Sequence, residues 1–455
     1  MSDEFDAVVE RVRERVEPDA AERERLERVA DDLRERARAA IADLPVDAEV
    51  IQVGSTARDT WLAGDRDIDL FVSFPPEIDR EDLESYGLDV GHAVLPEGHE
   101  EYAEHPYVKG TRDGFEVDLV PCYAVEDATE IQSAVDRTPF HTEYLAERID
   151  AALASEVRVA KQFLTGIGVY GSDLRTRGFS GYLTELLVHE YGGFRAFAEA
   201  AANWHPPVEF DPEDHGRETF DDPLVVIDPT DPERNVAAVC SAEAVARLQH
   251  YARDLLDSPR EELFYPAEPE PLGADGVREA FERRGTTPVA LRFDAPDVVD
   301  DQLYPQLDRS LGGVTSELDR RGFDVLRAAA WADETVVLLA ELEVAERPAV
   351  ERHEGPPVHV RDHAAGFYEA YADDDPEADG TYGPFLDGER YVVERPREFE
   401  TAVEFLESDA VFDVALGAHV ESAMESGYAV LAGEDVSALA GEFGVEFARY
   451  LDPRP

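Results

Sequence analysis

A chain of 455 residues is long enough for about three domains of ordinary size and a substantial core. Its 43% hydrophobic content excludes a disordered polymer, and without a run of about 20 apolar residues or a basic-then-apolar N-terminus neither a membrane span nor a signal peptide is expected. Its 42 basic residues against 103 acidic ones give a net charge of −61, which at low ionic strength would repel a phosphate backbone.

Residues 19–43 carry Leu26, Val29, Leu33, Ala37 and Ile41 at helical spacing with charges between, which predicts an amphipathic helix leading into a strand over 48–53. A Gly54-Ser55 turn follows, offering backbone N–H groups and a hydroxyl to phosphate oxygens. The next strand signal is Asp67-Ile68-Asp69-Leu70-Phe71. Alternate side chains of a strand share a face, so Asp67 and Asp69 point one way and Ile68, Leu70 and Val72 the other. Side-by-side anions repel unless a divalent cation bridges them. Residues 114–121 alternate again, with Phe115, Val117 and Leu119 on one face and Glu116 and Asp118 on the other. Paired beside the first strand, Asp118 would join Asp67 and Asp69, and three carboxylates suit two Mg²⁺ ions. A lone Asp-x-Asp in so acidic a chain is more often a solvated strand face. The ordered set of Gly-Ser, Asp-x-Asp and a later strand Asp points instead to nucleotide chemistry in an α/β domain over 1–150.

Thr138-Pro139 reads as an N-cap followed by proline at N1, which places His141 in the first turn of a helix, where phosphate is attracted. From 151 to 265 the pattern is helical, with Val157, Ala160, Phe163, Leu164 and Ile167 forming one stripe. Lys109 and Lys161 are the only lysines in the chain, and Lys161 beside that stripe is suited to reach a phosphate as a compact ammonium. The Pro- and Glu-rich residues 265–271, including Ala267, read as a linker. Beyond it, strand signals over 289–293 and 334–344 mix with helices in an α+β region over 266–455. Two cysteines, Cys122 and Cys240, leave little scope for disulfides or a zinc cluster and suit a cytoplasmic location. Arginine in place of lysine and abundant Asp and Glu resemble halophilic cytoplasmic proteins. In molar salt the Debye length is roughly 3 Å, so the charge neither supports nor excludes RNA.

A longer series of motifs runs through the chain: Asp136-Arg137-Thr138-Pro139-Phe140-His141, Tyr170-Gly171, Arg177-Gly178-Phe179-Ser180-Gly181-Tyr182, Asp228-Pro229, Arg234-Asn235-Val236, Leu303-Tyr304-Pro305-Gln306 and Gly355-Pro356-Pro357-Val358. Together with Gly54-Ser55, Asp67-x-Asp69 and Asp118 they resemble the archaeal, class I CCA-adding enzymes, tRNA nucleotidyltransferases of the polymerase-β-like superfamily. The resemblance implies an α+β multidomain fold. A nucleotidyltransferase domain with a mixed sheet (1–150) would be followed by a helical central domain completing the nucleotide pocket (151–265) and an α+β tRNA-binding body and tail (266–455). It implies catalytic and metal-binding roles for Asp67, Asp69 and Asp118 with Mg²⁺. It implies ATP and CTP contacts by Ser55, Arg58, Thr138, His141, Lys161 and Tyr170. Arg234 would select the base, and the partners would be tRNA and a second copy of the chain. Relatives often have Glu where this chain has Asp67, and either carboxylate ligates Mg²⁺. Arg352, His353, Arg361 and His363 are candidates for tRNA contact. A poly(A) polymerase or oligoadenylate synthetase would share the Gly-Ser and carboxylate pattern, whereas a non-catalytic RNA-binding relative would be expected to have lost a carboxylate.

Overall fold

The computed structural model describes residues 2–455 apart from 103, 267 and 375. Ala267 of the expected linker therefore lies outside the described residues. The chain divides into two compact units, Met1–Ala267 with Pro455, and Glu268–Arg454, and the division falls in the Pro- and Glu-rich stretch.

The first unit begins with α1 (Ser2–Val16) and α2 (Ala20–Ile41). Asp19 caps α2 by accepting from Ala21 N and Glu22 N, while Glu22 reaches back to the Asp19 N–H, so the helix starts where this capping box sets it. There follow β1 (Glu49–Val53), α3 (Gly54–Ala57), β2 (Asp67–Phe74), α4 (Arg80–Val94), β3 (His99–Tyr102), β4 (Pro106–Arg112) and β5 (Phe115–Tyr123). The strands form one sheet in the order β1-β2-β5-β4-β3, parallel between β2 and β5 and antiparallel elsewhere. Ile68, Leu70, Val72, Val117 and Leu119 pack with Leu26, Val29 and Leu33 of α2 and Leu83, Val90 and Val94 of α4. That apolar face anchors the sheet and leaves the carboxylates on the other.

A second core is built from α5 (Thr138–Ala146), α6 (Ala151–Gly166), α7 (Gly181–Tyr191), α8 (Phe194–Ala201) and α9 (Ala242–Asp257). Helix α1 joins this core through Phe5, Val8, Val9, Val12 and Val16, although it precedes the sheet in the sequence. The central region is not wholly helical as expected: β6 (Val208–Phe210), β7 (Leu224–Asp228) and β8 (Asp231–Asn235) form a small sheet. The buried run Leu224-Val225-Val226-Ile227 is too short and too β-branched for a helix. Asn235 closes the hairpin, accepting from Val226 N and Ala237 N and donating to Asp222 and the Leu224 carbonyl.

Thr138 is likewise not the N-cap that the Thr-Pro pair suggests. It is the first residue of α5, after Arg137, because a 3-10 turn over Ala134–Arg137 runs straight into the helix. Buried Asp136 has taken the capping work one turn earlier, accepting from Ser133 N and Oγ, Gln132 N and Tyr123 N.

The second unit contains α10 (Ala274–Arg284), β9 (Thr287–Asp294), α11 (Asp300–Arg320), β10 (Val325–Ala332), β11 (Thr335–Leu342), β12 (Val350–Pro357), α12 (Arg361–Tyr371), β13 (Tyr382–Asp387), β14 (Arg390–Pro396) and β15 (Tyr428–Ala432). One sheet runs β10-β11-β9-β15 and a smaller one β12-β14-β13. Strand β11 is apolar on both faces because helices cover both: Val336 and Leu338 pack with residues of α11, Val337 and Leu339 with residues of α10.

Candidate active site

Register brings the acidic residues together. Val53 of β1 lies opposite Asp69, Asp69 lies opposite Asp118 on the parallel neighbour β5, Asp67 lies opposite Glu116, and Lys109 of β4 lies opposite Asp118. Because Val53 pairs with Asp69, the turn that follows it lands on that carboxylate. Gly54 has φ +76°, and a Cβ there would sit 2.1 Å from Asp69 Oδ2. Burial, then Asp118 and Asp67, push the Asp69 carboxyl from 3.8 up to about 6. Asp67 and Asp118 are pushed up as well, chiefly by burial. Asp118 Oδ1 is buried without a hydrogen bond, and its nearest cation, Lys109 Nζ, stands 3.8 Å away.

These oxygens are the donors a hard divalent cation takes. Among the described residues no three His, Cys, Asp or Glu side chains come together as a group that could hold a metal ion, so Asp67, Asp69 and Asp118 do not by themselves form a three-carboxylate site. Mg²⁺ in nucleotide enzymes is held by one or two carboxylates with substrate phosphates, so an open carboxylate face with an unsatisfied oxygen fits it.

A second cluster centres on Glu185 of α7, which is fully buried and which sequence reasoning missed. It accepts from Arg58 Nε at 2.7 Å and Lys161 Nζ at 2.9 Å, and from the Thr60 hydroxyl. Burial alone would raise its pKa, but Lys161 and Arg58 hold it well below the usual carboxylate range. Lys161 also donates to the Thr60 carbonyl at 3.0 Å and hydroxyl at 3.2 Å, so its three N–H groups are engaged within the protein. It is thus not the free ammonium its position suggests. Arg58 Nη1 bonds Thr142 Oγ1 of α5 at 3.1 Å. Ser55 accepts from Arg58 N and Thr60 N through its carbonyl. The Tyr170 hydroxyl lies against the start of α7, where a Cβ on Gly181 would be 3.2 Å from it and 3.8 Å from Lys161 Nζ. Arg58 and Lys161 therefore meet on one buried anion, with Ser55 tied to Arg58 through its backbone and the Tyr170 hydroxyl near the start of α7. The available signal for Glu185 was indirect: a lysine inside an apolar stripe needs a counter-ion.

The third cluster centres on Asp228 at the end of β7. His141 Nε2 lies 2.8 Å and Arg234 Nη1 2.7 Å from its Oδ2, and the Tyr182 ring stacks on His141 with centroids 4.0 Å apart. Arg234 sits on strand β8. Thr138 begins the helix that carries His141.

Three family descriptions match successive segments: "Nucleotidyltransferase domain" over residues 14–141, "tRNA nucleotidyltransferase, second domain" over 155–265 and "CCA-adding enzyme, C-terminal domain" over 284–433. A CCA-adding enzyme of Haloarcula marismortui is 68% identical with all of both chains covered, and one of Halorubrum lacusprofundi 64% identical over the same full extent. This chain belongs to the CCA-adding enzyme family. Another such enzyme, of Halobacterium salinarum, is 62% identical over 98% of this chain and 99% of its own. These similarities to proteins of salt-loving archaea accord with the acidic, arginine-rich composition. Among the described residues no helix is long and apolar enough to cross a membrane. The segment matched by the C-terminal domain description, residues 284–433, lies in the second unit. There Arg352 pairs with Asp387 and Glu354, His353 packs on the Phe367 and Tyr371 rings, and Arg361 and His363 are exposed on α12.

Proposed function

We propose that this CCA-adding enzyme builds and repairs the 3′-terminal CCA of tRNA from CTP and ATP, releasing pyrophosphate without a nucleic-acid template. The observation that carries this reading is the Asp69–Asp118 pair, seated against the Gly54 turn in a chain that aligns end to end with CCA-adding enzymes. Asp67, Asp69 and Asp118 are the residues that would hold Mg²⁺. When bound, Mg²⁺ lowers the pKa of the attacking hydroxyl and neutralises charge on the triphosphate.

The protein's own groups divide the remaining work. Ser55 and Arg58 bind the triphosphate, with the Arg58 guanidinium held by Glu185 and Thr142 so that its orientation is set before substrate arrives. Tyr170 contributes a hydroxyl, and a phosphate oxygen reaches Lys161 by displacing the Thr60 hydroxyl, the longest of its three contacts. Thr138 and His141 meet the nucleotide from α5. The tRNA 3′-hydroxyl is thereby aligned for in-line attack on the α-phosphate. Arg234 reads the base: cytosine N3 and adenine N1 accept a hydrogen bond from it, whereas uracil N3 and guanine N1 carry hydrogens and oppose it. The second unit, with Arg352, His353, Arg361 and His363, contacts tRNA, and the enzyme works as a cytoplasmic homodimer. The test is Asp118→Ala on tRNA lacking CCA. It should abolish incorporation of both C and A, because one carboxylate face serves every addition. Near-normal turnover by the folded variant would overturn the assignment.

A further inference from the structure

Lys109 stands on the carboxylate face without bonding to it. It sits on β4 directly opposite Asp118 of β5, and cross-strand partners share a face, so its side chain lies on the side that carries Asp118 and Glu116. Its Nζ is 3.8 Å from Asp118 Oδ1 and 3.9 Å from Glu116 Oε2, beyond hydrogen-bond reach of both, and it donates to no other group among the described residues. The other lysine, Lys161, has all three N–H groups engaged. Lys109 opposes the rise in the Asp67, Asp69 and Asp118 carboxyls, aided at Asp69 by Arg58. One ammonium thus serves three crowded anions, and the buried Asp118 Oδ1 keeps its lone pairs free. Of the 42 basic residues only two are lysines, and arginine would behave differently here. A guanidinium makes paired hydrogen bonds to a carboxylate, so it would take the oxygen that a metal needs.

We propose that Lys109 is a positioning residue for the metal: a fixed positive charge that holds the empty carboxylate face together and weakens its grip on a divalent cation, while leaving Asp118 Oδ1 open to ligate one. This rests on the reading of Asp67, Asp69 and Asp118 as the residues that hold Mg²⁺. Without a neighbouring cation, these carboxylates and Glu116 would bind a divalent ion tightly whether or not a nucleotide was present, because opposite charge relieves crowded anions by itself. The ammonium offsets part of that charge, so the phosphates of the nucleotide are needed to complete the metal's shell. Each addition ends with a pyrophosphate that must leave before the next nucleotide enters, and a face that binds metal weakly lets that metal go with it. Two cations on one half-wet carboxylate face oppose each other by about tenfold in affinity.

The test is Mn²⁺ binding to the nucleotide-free enzyme, read from the EPR signal of the free ion, with thermal unfolding in EDTA alongside, both in molar KCl so that the acidic surface holds little Mn²⁺. Lys109→Met keeps most of the apolar stem and removes the charge. It should bind Mn²⁺ about tenfold more tightly than wild type and melt at a lower temperature in EDTA, with Mn²⁺ restoring the loss. Lys109→Arg should keep the melting temperature in EDTA and bind Mn²⁺ more weakly than wild type, because its guanidinium occupies Asp118 Oδ1. Single-turnover CMP incorporation should follow, with the Mg²⁺ midpoint lower in Lys109→Met and higher in Lys109→Arg. Folded Lys109→Met with unchanged or weaker Mn²⁺ affinity overturns the proposal, as does Lys109→Arg that binds Mn²⁺ like wild type. Asp118→Ala that binds Mn²⁺ as tightly as wild type overturns the reading of the carboxylate face instead.

Discussion

Replacing Asp69 by Asn is expected to stabilise the metal-free protein while abolishing catalysis. The Asp69 carboxyl is raised from 3.8 to about 6 by burial and by its acidic neighbours Asp118 and Asp67. A carboxyl raised in the folded state keeps a proton that the unfolded chain has released. Folding stability therefore falls as pH rises from 3.8 through about 6, and the penalty is fully present above that. At about 1.36 kcal/mol per pH unit, the shift costs about 3 kcal/mol near neutral pH. Asn keeps the shape and removes the charge. With about 2–4 °C of Tm per kcal/mol, the variant should melt roughly 6–12 °C higher at about pH 8, with the difference shrinking toward zero at about pH 4. The assay is thermal unfolding in molar KCl with EDTA, followed by Mg²⁺ addition, alongside labelled CMP and AMP incorporation. Salt trims the contribution from the acidic neighbours, but the larger contribution from burial persists. Mg²⁺ should raise the wild-type Tm at about pH 8 and leave Asp69→Asn nearly unmoved. A variant melting at or below wild type in EDTA at that pH would refute the reasoning.

Gly54→Ala should cost about a hundredfold or more in kcat, because the new Cβ must displace the Asp69 carboxylate and an L residue resists φ +76°; near-wild-type single-turnover rates would show that the turn can yield. Lys161→Met strands Glu185 with a weakened set of partners and should destabilise the protein by about 3–5 kcal/mol in denaturant titrations, whereas adding Glu185→Gln should recover much of that loss. Strictly additive losses in the double variant would contradict the pairing. Arg234→Ala should raise UTP incorporation relative to CTP by roughly ten- to a hundredfold, read by sequencing products from competing nucleotides. A uniform loss with the ratio preserved would make Arg234 a structural residue.

Strand alternation made the carboxylate face legible, since Asp67, Asp69 and Asp118 could be assigned to one side from spacing alone. The parallel pairing that sets Asp69 opposite Asp118 was not legible, because register between strands separated by some forty residues depends on tertiary packing. Lys161 stood out by rarity, but its partner Glu185 is one of 103 acidic residues and only folding distinguishes it. Helix α1 carries Phe5, Val8, Val9, Val12 and Val16 at readable helical spacing, yet nothing local says that it packs on the second core. At Thr138 a sound capping signal lost to Asp136, which accepts three local hydrogen bonds from Gln132 and Ser133 and a fourth, from Tyr123 N, that only tertiary packing supplies. Arg234 and Asp228 acquire meaning from a short hairpin in a region that otherwise reads as helical.

The most direct measurement is nucleotide addition to tRNA lacking its CCA end, in molar KCl with Mg²⁺, with CTP and ATP supplied singly and together. CTP alone should add two C residues and stop, ATP alone should add nothing to that end, and the mixture should give CCA. Runs of A from ATP alone, with CTP ignored, would contradict CCA addition and mark an A-adding polymerase.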